Sequence, residues 1–458
     1  MGPEAVMVNP YQPYAEIFIA RLFRDYGIRT VALHTDWRTR IILEGRAPIL
    51  RSAAVSAHYM IPVEGLAPVA DRLRTRHDIV AAVPHDEGAV GWLARLADML
   101  DLSWAQPEVL PAFRNKASLK ALIARNDPTV RLNAFALVST PDEVVRWAAE
   151  HGVDRFVLKP NDGSGNRGVA FFDAAGPVEE LARYFDEADD TVLAEEFIGG
   201  DEYWVNGQTD ERGRPTVTGI GRYDRRDLNG KQNLEVGATS LATTDPAFAS
   251  LRSYAEQVMT ATGLQRSPFH LEAKIDDRGP CLIEVGARLC GDLLTLAESW
   301  QHGPASDLMG AALQGYVSDA EMGRLALDWD RYDTHRYAQV NGVSTSRQRL
   351  ARVSGVAQVE QMPGFLFWIK QPHVGDTVLP TTDLIAKPWA LVLSGRDEDE
   401  LREREDMVRR ALVIVGEHEV SAGLRPRLPL LAARFGKVWS SRPRPYQARA
   451  LLSLGAAR

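Results

Sequence analysis

Cysteine is scarce in this 458-residue chain, in which only Cys281 and Cys290 occur. Two cysteines cannot build a disulfide framework or a cysteine-rich zinc site, so small domains of both kinds are excluded. Long apolar runs are also missing, since no window approaches the roughly 18 uninterrupted apolar residues of a membrane-spanning helix. The N-terminal segment has neither the basic stretch nor the apolar stretch of a secretory signal. These absences predict a cytoplasmic protein without a membrane partner.

The chain has fewer positively than negatively charged side chains. The chain has 53 lysines and arginines against 61 aspartates and glutamates, a formal net charge of −8. Because nucleic-acid binding depends on clustered cations that neutralise phosphates, we expect no nucleic-acid partner. Hydrophobic residues make up 45% and charged residues 25%, which is the composition of a folded globular protein. At roughly 100–200 residues per domain, the length predicts two to four domains.

The N-terminal part alternates between strand and helix periodicity. Short apolar runs predict strands, and apolar residues at helical spacing predict helices. The predicted strands are 5–8, 30–33 and 79–83, and the predicted helices are 14–26 and 90–100. Gly27 stands just after the first helix, where a left-handed residue often ends it. Strand–helix alternation predicts a parallel sheet wrapped by helices, so residues 1–105 are predicted to form an α/β domain.

The pattern of the sequence changes after a proline-containing boundary near residue 106. A basic helix is predicted at 113–126, and short glycine-rich strands from about 155 to 290 predict antiparallel sheet. The C-terminal part mixes a strand-like run at 364–369 with a charged helix, DEDELREREDMVRRAL. After Glu419 the chain has seven arginines, one lysine and no acidic residue. This basic tail is either a docking segment or a solvated terminus.

A glycine-rich hairpin is predicted at residues 156–172. An apolar strand ends in Lys159-Pro160, turns through GSGNRG at 163–168, and returns as a second apolar strand. Glycine lets backbone N–H groups approach anionic oxygens closely, and the Lys159 ammonium adds positive charge beside them. The Gly-Lys-Ser/Thr ending of a Walker A loop is missing. Phosphate binding and an ordinary hairpin turn both fit this segment.

Acidic residues flank a second glycine pair in residues 192–207, VLAEEFIGGDEYWVNG. A hinge of this kind can present backbone groups and a carboxylate, such as Glu195, to an adenine edge. A second carboxylate, Glu202, can accept hydrogen bonds from ribose hydroxyls. The alternative is a surface turn with solvated acids.

The sharpest pattern is a hairpin at residues 269–292, FHLEAKIDDRGPCLIEVGARLCGD. Polar and apolar side chains alternate on both strands around a turn, which gives the hairpin one charged face. If the hairpin is symmetric about residue 278, Glu272 faces Glu284 and His270 faces Gly286. The Cβ atoms of such cross-strand pairs lie ~5 Å apart.

Two carboxylates at that separation destabilise the hairpin unless a cation lies between them. Such a pair can bridge two magnesium ions, which lie ~3.5–4 Å apart in two-metal sites. Arg288, on the same face as Glu284, can hold a phosphoryl group or a developing oxyanion. The alternative is an exposed polar face on which Lys274 and Arg288 neutralise the two acids.

These three stretches, in this order and with Lys116 upstream in the basic helix, resemble the ATP-grasp ligase superfamily. The resemblance implies an ATP-grasp fold of mixed α/β and α+β domains, in which two α+β subdomains clamp ATP between them. The N-terminal α/β domain fits the domain that usually precedes this fold. The implied divisions are a small lid-bearing subdomain with linking helices at 106–190, a catalytic subdomain at 191–320, and a C-terminal ligase-type extension with the basic tail at 321–458.

The resemblance also implies roles for individual residues. Those implied to contact the nucleotide are Lys116 and Lys159 at its phosphates or adenine edge, Ser164 and Gly165 in a mobile lid, Glu195, Glu196 and Ile198 at adenine, and Glu202 at ribose. Glu272 and Glu284 are implied to bind magnesium. Arg288 is implied to bind the γ-phosphate or the acyl phosphate made from it. The implied cofactors are ATP and Mg²⁺, with two metal ions and Mn²⁺ as an alternative metal.

One position departs from the superfamily's pattern. The last strand commonly contains Glu-x-Asn-x-Arg, where this chain has Glu284-Val285-Gly286-Ala287-Arg288. The asparagine usually completes the shell of the second magnesium ion. Gly286 leaves that role to water or to His270, which we therefore count with Lys159 and Arg288 as a candidate catalytic residue.

Within the superfamily the chain looks most like the L-amino-acid ligases that make dipeptides, and related amide-forming enzymes of natural-product pathways. The residues that carry this likeness are 284–292, the long segment 221–245, and KQPHVGDTV at 370–378, which looks like a β-turn element of the ligases' extra domain. In such enzymes a carboxylate attacks the γ-phosphate of ATP, and an amine displaces phosphate from the resulting acyl phosphate. The implied partners are amino acids or short peptides, and a homodimer is left open.

Several points stay open at this level. A bicarbonate-activating carboxylase and a non-catalytic ATP-binding protein are the alternative functions. The candidate bases for the amine are Asp292, Glu298 and His302. The cations of segment 221–245, taken as an insertion, are Arg222, Arg225, Arg226 and Lys231. We expect at least one of them to face a substrate carboxylate, with a solvated loop as the alternative.

Overall fold

The computed structural model describes residues 2–10, 13–35, 48–62, 65–102, 104, 106–162, 168–188, 192–318, 320–383 and 386–417. The predicted lid residues Ser164 and Gly165 and the basic tail lie outside these ranges. The described chain forms a parallel sheet, two antiparallel sheets that face a common cavity, and a small C-terminal sheet. Within the described residues, no helix has the length and apolar character that crossing a membrane requires.

The N-terminal α/β domain confirms the predicted strand–helix alternation. Its strands are β1 (Pro3–Val8), β2 (Arg29–His34), β3 (Val55–Met60) and β4 (Asp78–Ala82). Its helices are α1 (Pro13–Tyr26), α2 (Ala67–Arg76) and α3 (Glu87–Met99), with a 3₁₀ turn at Pro48–Arg51. The strands pair in parallel in the order β3-β2-β1-β4, and β1 and β2 are almost fully buried. Burial of both strand faces explains their continuous apolar runs.

A small antiparallel domain follows. Its strands are β5 (Phe135–Val138), β6 (Arg155–Pro160), β7 (Ala170–Asp173) and β8 (Val192–Glu196), and its helices are α4 (Lys116–Asn126), α5 (Pro141–His151) and α6 (Val178–Glu187). The strand order is β5-β8-β6-β7. Strand β8 lies beyond the predicted division at residue 190.

The predicted helix at 113–126 begins later than its basic pattern suggests. Residues Leu110–Arg114 form a 3₁₀ turn, and α4 starts at Lys116. Asn115 has extended backbone, and its side chain accepts a hydrogen bond from the Ser118 N–H, which caps the helix. An asparagine cap satisfies an N–H group that has no partner within the helix, so it marks the helix start more reliably than charge does.

The large sheet has eight antiparallel strands. They are β9 (Glu202–Thr209), β10 (Pro215–Leu228), β11 (Lys231–Ser240), β12 (Pro268–Asp276), β13 (Gly279–Gly286), β14 (Arg336–Asn341), β16 (Phe365–Lys370) and β18 (Ala390–Gly395). Their order is β13-β12-β9-β10-β11-β14-β18-β16, so one sheet runs across the predicted division at residue 320. The accompanying helices are α7 (Pro246–Thr262), α8 (Leu294–His302), α9 (Leu308–Val317) and α10 (Trp329–Thr334).

The interpretation of segment 221–245 as an insertion is wrong. Most of it belongs to β10 and β11, two long strands in the middle of the large sheet. They are joined at Asn229 and Gly230, which both have positive φ angles of 53° and 74°. Asn-Gly with two left-handed residues is the turn that matches the twist of a tight hairpin.

The C-terminal part contributes a three-stranded sheet. Its strands are β15 (Gln348–Ser354), β17 (Thr377–Val378) and β19 (Val413–Gly416), in the order β17-β15-β19, and its helices are α11 (Val356–Glu360) and α12 (Glu398–Ala411). Segment 370–378 contains a turn that leads into β17, as predicted. Helix α12 is the predicted charged helix, and Asp397 caps it.

Candidate active site

A cavity of about 1110 Å³, including its open mouth, lies between the small domain and the large sheet. Residues from widely separated stretches of the sequence line it, from Lys116 to Arg288. The predicted site residues among them are Lys116, Lys159, Glu195, Glu196, Ile198, Glu202, His270, Glu272, Glu284 and Arg288. The structure therefore brings together every predicted site residue that it describes.

Strands β12 and β13 form one wall of the cavity and carry the paired carboxylates. Glu272 lies opposite Glu284 and His270 lies opposite Gly286, which confirms the predicted register. The strict alternation predicted for β13 is wrong beyond that point, because the register shifts between Glu272 and Ala273. The extra residue of this bulge, Ile283, lines the cavity beside Glu284. A bulge re-aims a side chain without ending the strand pairing.

The two carboxylates have opposite pKa shifts. Burial disfavours ionised Glu272, but the neighbouring His270 side chain, the charge of Arg225 and a hydrogen bond from the Tyr223 hydroxyl outweigh it and lower the pKa. Burial raises the pKa of Glu284, and the charges of Glu272 and Glu87 add to this effect against the opposing Lys116 ammonium. Lys116 Nζ lies 3.4 Å from Glu284 Oε2. The two carboxyl groups thus create a negative potential that a bound cation would neutralise.

The donor set fits magnesium held jointly with a nucleotide. Within the described part of the chain, no three His, Cys, Asp or Glu side chains are grouped closely enough to hold an ion by themselves. Mg²⁺ in phosphoryl-transfer sites is usually bound by one or two carboxylates together with substrate phosphates and water. The facing pair of Glu272 and Glu284 matches that arrangement.

A buried ion triad lies at the small-domain side of the cavity. Glu195 Oε1 lies 2.5 Å from Lys120 Nζ, and Glu195 Oε2 lies 2.5 Å from Lys159 Nζ. Burial opposes ionised Glu195, but the two lysines lower its pKa to about 2. Both carboxylate oxygens of Glu195 thus contact lysines. The resemblance implies a different role for Glu195, a contact with adenine.

Sequence analysis missed Lys120. It follows Lys116 by four residues on α4, so the two lysines share a helix face, and this spacing was the available signal. Burial lowers the pKa of Lys120. Lys159 is buried too, but the negative charges of Glu195, Glu284 and Glu272 raise its pKa. Lys159 therefore stays charged where it faces the cavity.

The hinge after β8 has a defined geometry. Glu196 Oε1 accepts a hydrogen bond from Arg278 at 2.6 Å, and Glu196 Oε2 accepts one from the Ala134 N–H. Gly200 has a φ of +80°, and a Cβ at this position would lie against the Ile275 carbonyl oxygen. Ile198 is buried. The hinge therefore requires glycine at residue 200 and presents its backbone, rather than a free Glu196 carboxylate, to the cavity.

Of the cations in segment 221–245, Arg225 is the one that lines this cavity. It hydrogen-bonds Glu202, and Glu202 also accepts a hydrogen bond from Asn233 Nδ2 at 3.1 Å. Arg222 instead lies near Asp201 and Glu398. Arg225 is thus tied to the predicted ribose-binding carboxylate.

The N-terminal domain completes the site with Glu87, which sequence analysis missed. Glu87 starts α3 after the capping residue Asp86 and accepts a hydrogen bond from Arg288 Nε at 2.8 Å. A Cβ at residue 286 would lie 2.5 Å from Glu87 Oε2. The glycine that replaces the superfamily's asparagine therefore makes room for a carboxylate from another domain.

The three candidate bases lie apart from the described residues that line the cavity. Asp292 Oδ2 lies 2.5 Å from Lys387 Nζ. Glu298 and His302 are buried on α8, where His302 contacts the Thr218 and Asp328 carbonyl oxygens. The base that deprotonates the amine stays open.

Replacing Glu298 by glutamine should stabilise the folded protein at neutral and alkaline pH. Burial raises the pKa of Glu298 from 4.5 to about 7, so its ionisation opposes folding. Below pH 4.5 Glu298 is protonated in both the folded and the unfolded protein, so the stabilisation by this substitution vanishes. It grows between pH 4.5 and 7, and above pH 7 it reaches an upper limit of about 3 kcal/mol. Urea unfolding of both proteins from pH 4.5 to 8 tests this, and a pH-independent difference would contradict it.

Comparison with known proteins agrees with the fold. Residues 154–296 match the family model described as ATP-grasp domain. The chain is 29% identical over 326 residues to dapdiamide A synthase of Enterobacter agglomerans, covering 69% of this chain and 75% of that protein. The fold and the match define a protein with an ATP-grasp domain, and the resemblance to this superfamily is confirmed.

Solved structures show the same architecture. An L-amino acid ligase from Bacillus licheniformis aligns with a TM-score of 0.69 and 17% identity, over 91% of this chain and 98% of that one. The biotin carboxylase domain of the Hydrogenobacter thermophilus 2-oxoglutarate carboxylase aligns with a TM-score of 0.64 and 16% identity, over 90% of each chain. These two likenesses show the fold that this chain shares with both structures.

Proposed function

We propose that this protein is an ATP-dependent ligase that joins the carboxylate of one amino acid, or amino-acid-like molecule, to the amine of another. The observation that carries the proposal is the facing pair Glu272 and Glu284, with Arg288 two residues beyond the end of the strand that carries Glu284, inside a cavity lined by lysines. The similarity to a dapdiamide synthase and to an L-amino acid ligase favours amide formation over bicarbonate activation.

ATP fits the cavity between the small domain and the large sheet. We place its adenine at the hinge of residues 196–198, its ribose at Glu202 and its phosphates toward Lys116 and Lys159. Mg²⁺, held by Glu272 and Glu284, would neutralise charge on the phosphoryl group that is transferred. Ser164 and Gly165 remain the predicted lid residues, whose closure would keep water from an acyl phosphate.

Arg288 is held in place for an anionic oxygen. Among the described residues, Glu87 accepts a hydrogen bond from Nε, and the Leu289 carbonyl accepts one from Nη1 at 3.0 Å. Nη2 is then the group left for the γ-phosphate, or for the oxyanion formed when the amine attacks the acyl carbon. A guanidinium fixed before the reaction stabilises developing charge without reorganising.

In the proposed reaction, the substrate carboxylate oxygen attacks the γ-phosphorus and the bond to ADP breaks. The amine nitrogen then attacks the acyl carbon, phosphate leaves, and the nitrogen loses a proton. The positive side chains around the cavity act by positioning and by spreading the transferred charge.

A screen of phosphate release tests the proposal. The purified protein is mixed with ATP, Mg²⁺ and all pairs of common amino acids, and active wells are analysed by mass spectrometry. Release that requires a pair, with a product lighter than the pair by one water, supports the ligase. Phosphate release that requires bicarbonate and no amine would contradict it and favour a carboxylase. ATP binding without turnover in any mixture, specialised amino acids included, would favour a non-catalytic protein.

Lys159→Ala should weaken ATP binding roughly 10- to 100-fold, because a hydrogen-bonded cation next to the phosphates is lost. Calorimetric titration with ATP and Mg²⁺ measures the change. Lys231→Ala is the matched control, since Lys231 is exposed at the β10–β11 turn and should leave affinity unchanged. Equal affinities for wild type and Lys159→Ala would place the phosphates elsewhere.

A further inference from the structure

We propose that Glu298 is a positioning residue for His270, acting through Asn206 to fix which imidazole nitrogen faces the candidate metal site. The inference rests on the proposed function, in which His270 lies beside the metal-binding carboxylates. None of the comparisons assigns a role to Glu298 or Asn206.

An unbroken series of hydrogen bonds joins Glu298 to the cavity. Asn206 Nδ2 donates to Glu298 Oε2 at 2.6 Å, and Asn206 Oδ1 lies 2.8 Å from His270 Nδ1. His270 Nε2 lies 3.2 Å from the Tyr223 hydroxyl and 3.5 Å from Glu272 Oε1. Glu298 and Asn206 are buried, so solvent does not compete for these contacts.

The chemistry of the groups sets the direction of each bond. A carboxylate only accepts hydrogen bonds, so ionised Glu298 orients the Asn206 amide with its N–H toward the helix. The amide oxygen then faces His270, and because it too only accepts, His270 Nδ1 must carry the proton. In a neutral imidazole the other nitrogen is the basic one. His270 therefore presents an unprotonated Nε2 beside Tyr223 and Glu272.

The surroundings of Glu298 are built around its carboxyl group. A Cβ at Gly219 would lie 2.9 Å from Glu298 Cδ, so a side chain at this position of β10 would displace the Glu298 carboxyl group. Glu298 also borders a small cavity of about 290 Å³, including its open mouth, and the Thr218 and Asn206 side chains hydrogen-bond its carboxyl group. These hydrogen bonds favour the ionised form, but burial outweighs them.

Among the residues that the structure describes, no positive charge on a neighbouring element stabilises the ionised form of Glu298. The titratable groups that face Glu298 are Cys290 after β13, Tyr332 of α10 and Tyr337 of β14. The pKa of each is raised by burial, so all three are uncharged near neutrality. His302, one turn further along α8, is engaged with two backbone carbonyls.

Ionisation of Glu298 therefore controls the amide orientation. The protonated form has an O–H that can donate to Asn206 Oδ1, which permits the flipped amide and moves the proton of His270 to Nε2. Burial raises the pKa of Glu298 to about 7, so the switch falls near neutral pH. Turnover should rise as pH increases through 7, and Glu298→Gln should lose that inflection.

The test uses the full-length protein with ¹⁵N-labelled histidine, without ATP or metal. His270 is assigned by the signal that disappears in His270→Gln. Wild type above pH 7 should show an unprotonated Nε2, whereas Glu298→Leu should show mixed tautomers. Because this measurement needs no turnover, it separates failure of the inference from failure of the proposed ligase activity. An unchanged His270 signal in Glu298→Leu overturns the inference.

Kinetics give the second measurement. Glu298→Leu should lower kcat roughly 10- to 100-fold, the usual effect of removing a partner that orients a site residue, with the KM for ATP nearly unchanged. Gln301→Leu is the control, since Gln301 lies on the same helix, is fully buried and bonds the Tyr332 and His335 carbonyls. It should lower stability but leave the His270 signal and kcat intact. If Glu298→Leu does not fold, the tautomer is followed in Glu298→Gln, and an unaltered pH profile there overturns the inference.

Discussion

Glu284→Gln is expected to lower ATP-dependent phosphate release by about 1,000-fold or more. The substitution keeps the shape of the side chain but removes one of the two facing carboxylates that would bind Mg²⁺. Electrostatic stabilisation of a transferring phosphoryl group supplies several kcal/mol of the barrier reduction, and each 1.4 kcal/mol is about tenfold in rate. Coupled ADP and phosphate assays with the substrate pair from the screen measure the effect.

The matched control for this variant is Glu256→Gln. Glu256 is half-buried on α7 and pairs with Arg252 one turn away, so its charge is lost without touching the cavity. The Glu284→Gln protein should remain folded, since the pKa of Glu284 is raised and the neutral side chain suits its buried setting. Mn²⁺ binding in the presence of ADP should weaken in parallel. Turnover near the wild-type rate would remove Glu284 from the metal site.

Glu195→Gln is expected to destabilise the protein by about 3–5 kcal/mol, because two buried lysines lose their shared counter-charge. Lys120 and Lys159 lie about equally close to the carboxylate, so the amide leaves neither with an ionic partner. Urea unfolding at pH 7 measures the change in the free energy of unfolding. A loss below about 1 kcal/mol would show that the triad contributes little.

A second substitution separates charge from shape in the triad. Adding Lys120→Met to Glu195→Gln removes the lysine whose pKa burial already lowers, and leaves Lys159 facing the cavity. The double variant should recover part of the lost stability. If it is less stable than Glu195→Gln alone, the packing of Lys120 against Asn133 and its surroundings is the larger contribution.

The hairpin of residues 268–286 was predictable because its information is local. Polar and apolar residues alternate with a period of two, and the turn at residues 276–279 sets which residues face each other. The register that starts at this turn pairs Ala273 with Leu282 and by itself would place Glu272 opposite Ile283. The bulge at Ile283 brings Glu284 opposite Glu272, so the predicted pair is confirmed although the predicted pairing nearer the turn is not. The bulge at Ile283 was not predictable, since its pattern of buried Cys281 and Leu282 depends on what packs behind the sheet.

Local pattern also indicated the N-terminal sheet, the charged C-terminal helix and the order of the three stretches that resemble the ATP-grasp superfamily. It failed for segment 221–245, which was interpreted as an insertion, with a solvated loop as the alternative for its cations. Arg225 stays buried there because Glu202 accepts its hydrogen bond, and Arg222 lies at the sheet surface near Glu398. Charged residues along a strand predict an exposed strand only when the neighbouring strand offers no side chain of opposite charge.

Composition and short-range spacing were thus enough for the class of fold, and they indicated the carboxylate pair. Tertiary structure alone placed Glu87 beside Arg288, although 201 residues separate them in the sequence. It also joined Lys120 to Glu195, and Glu298 through Asn206 to His270. Each of these contacts joins two elements that become neighbours only when the sheets and helices pack. The sequence pattern within one element does not determine how far that element lies from another. The chemistry of a buried side chain is decided by that distance, because a charge or hydrogen bond acts over only a few ångströms.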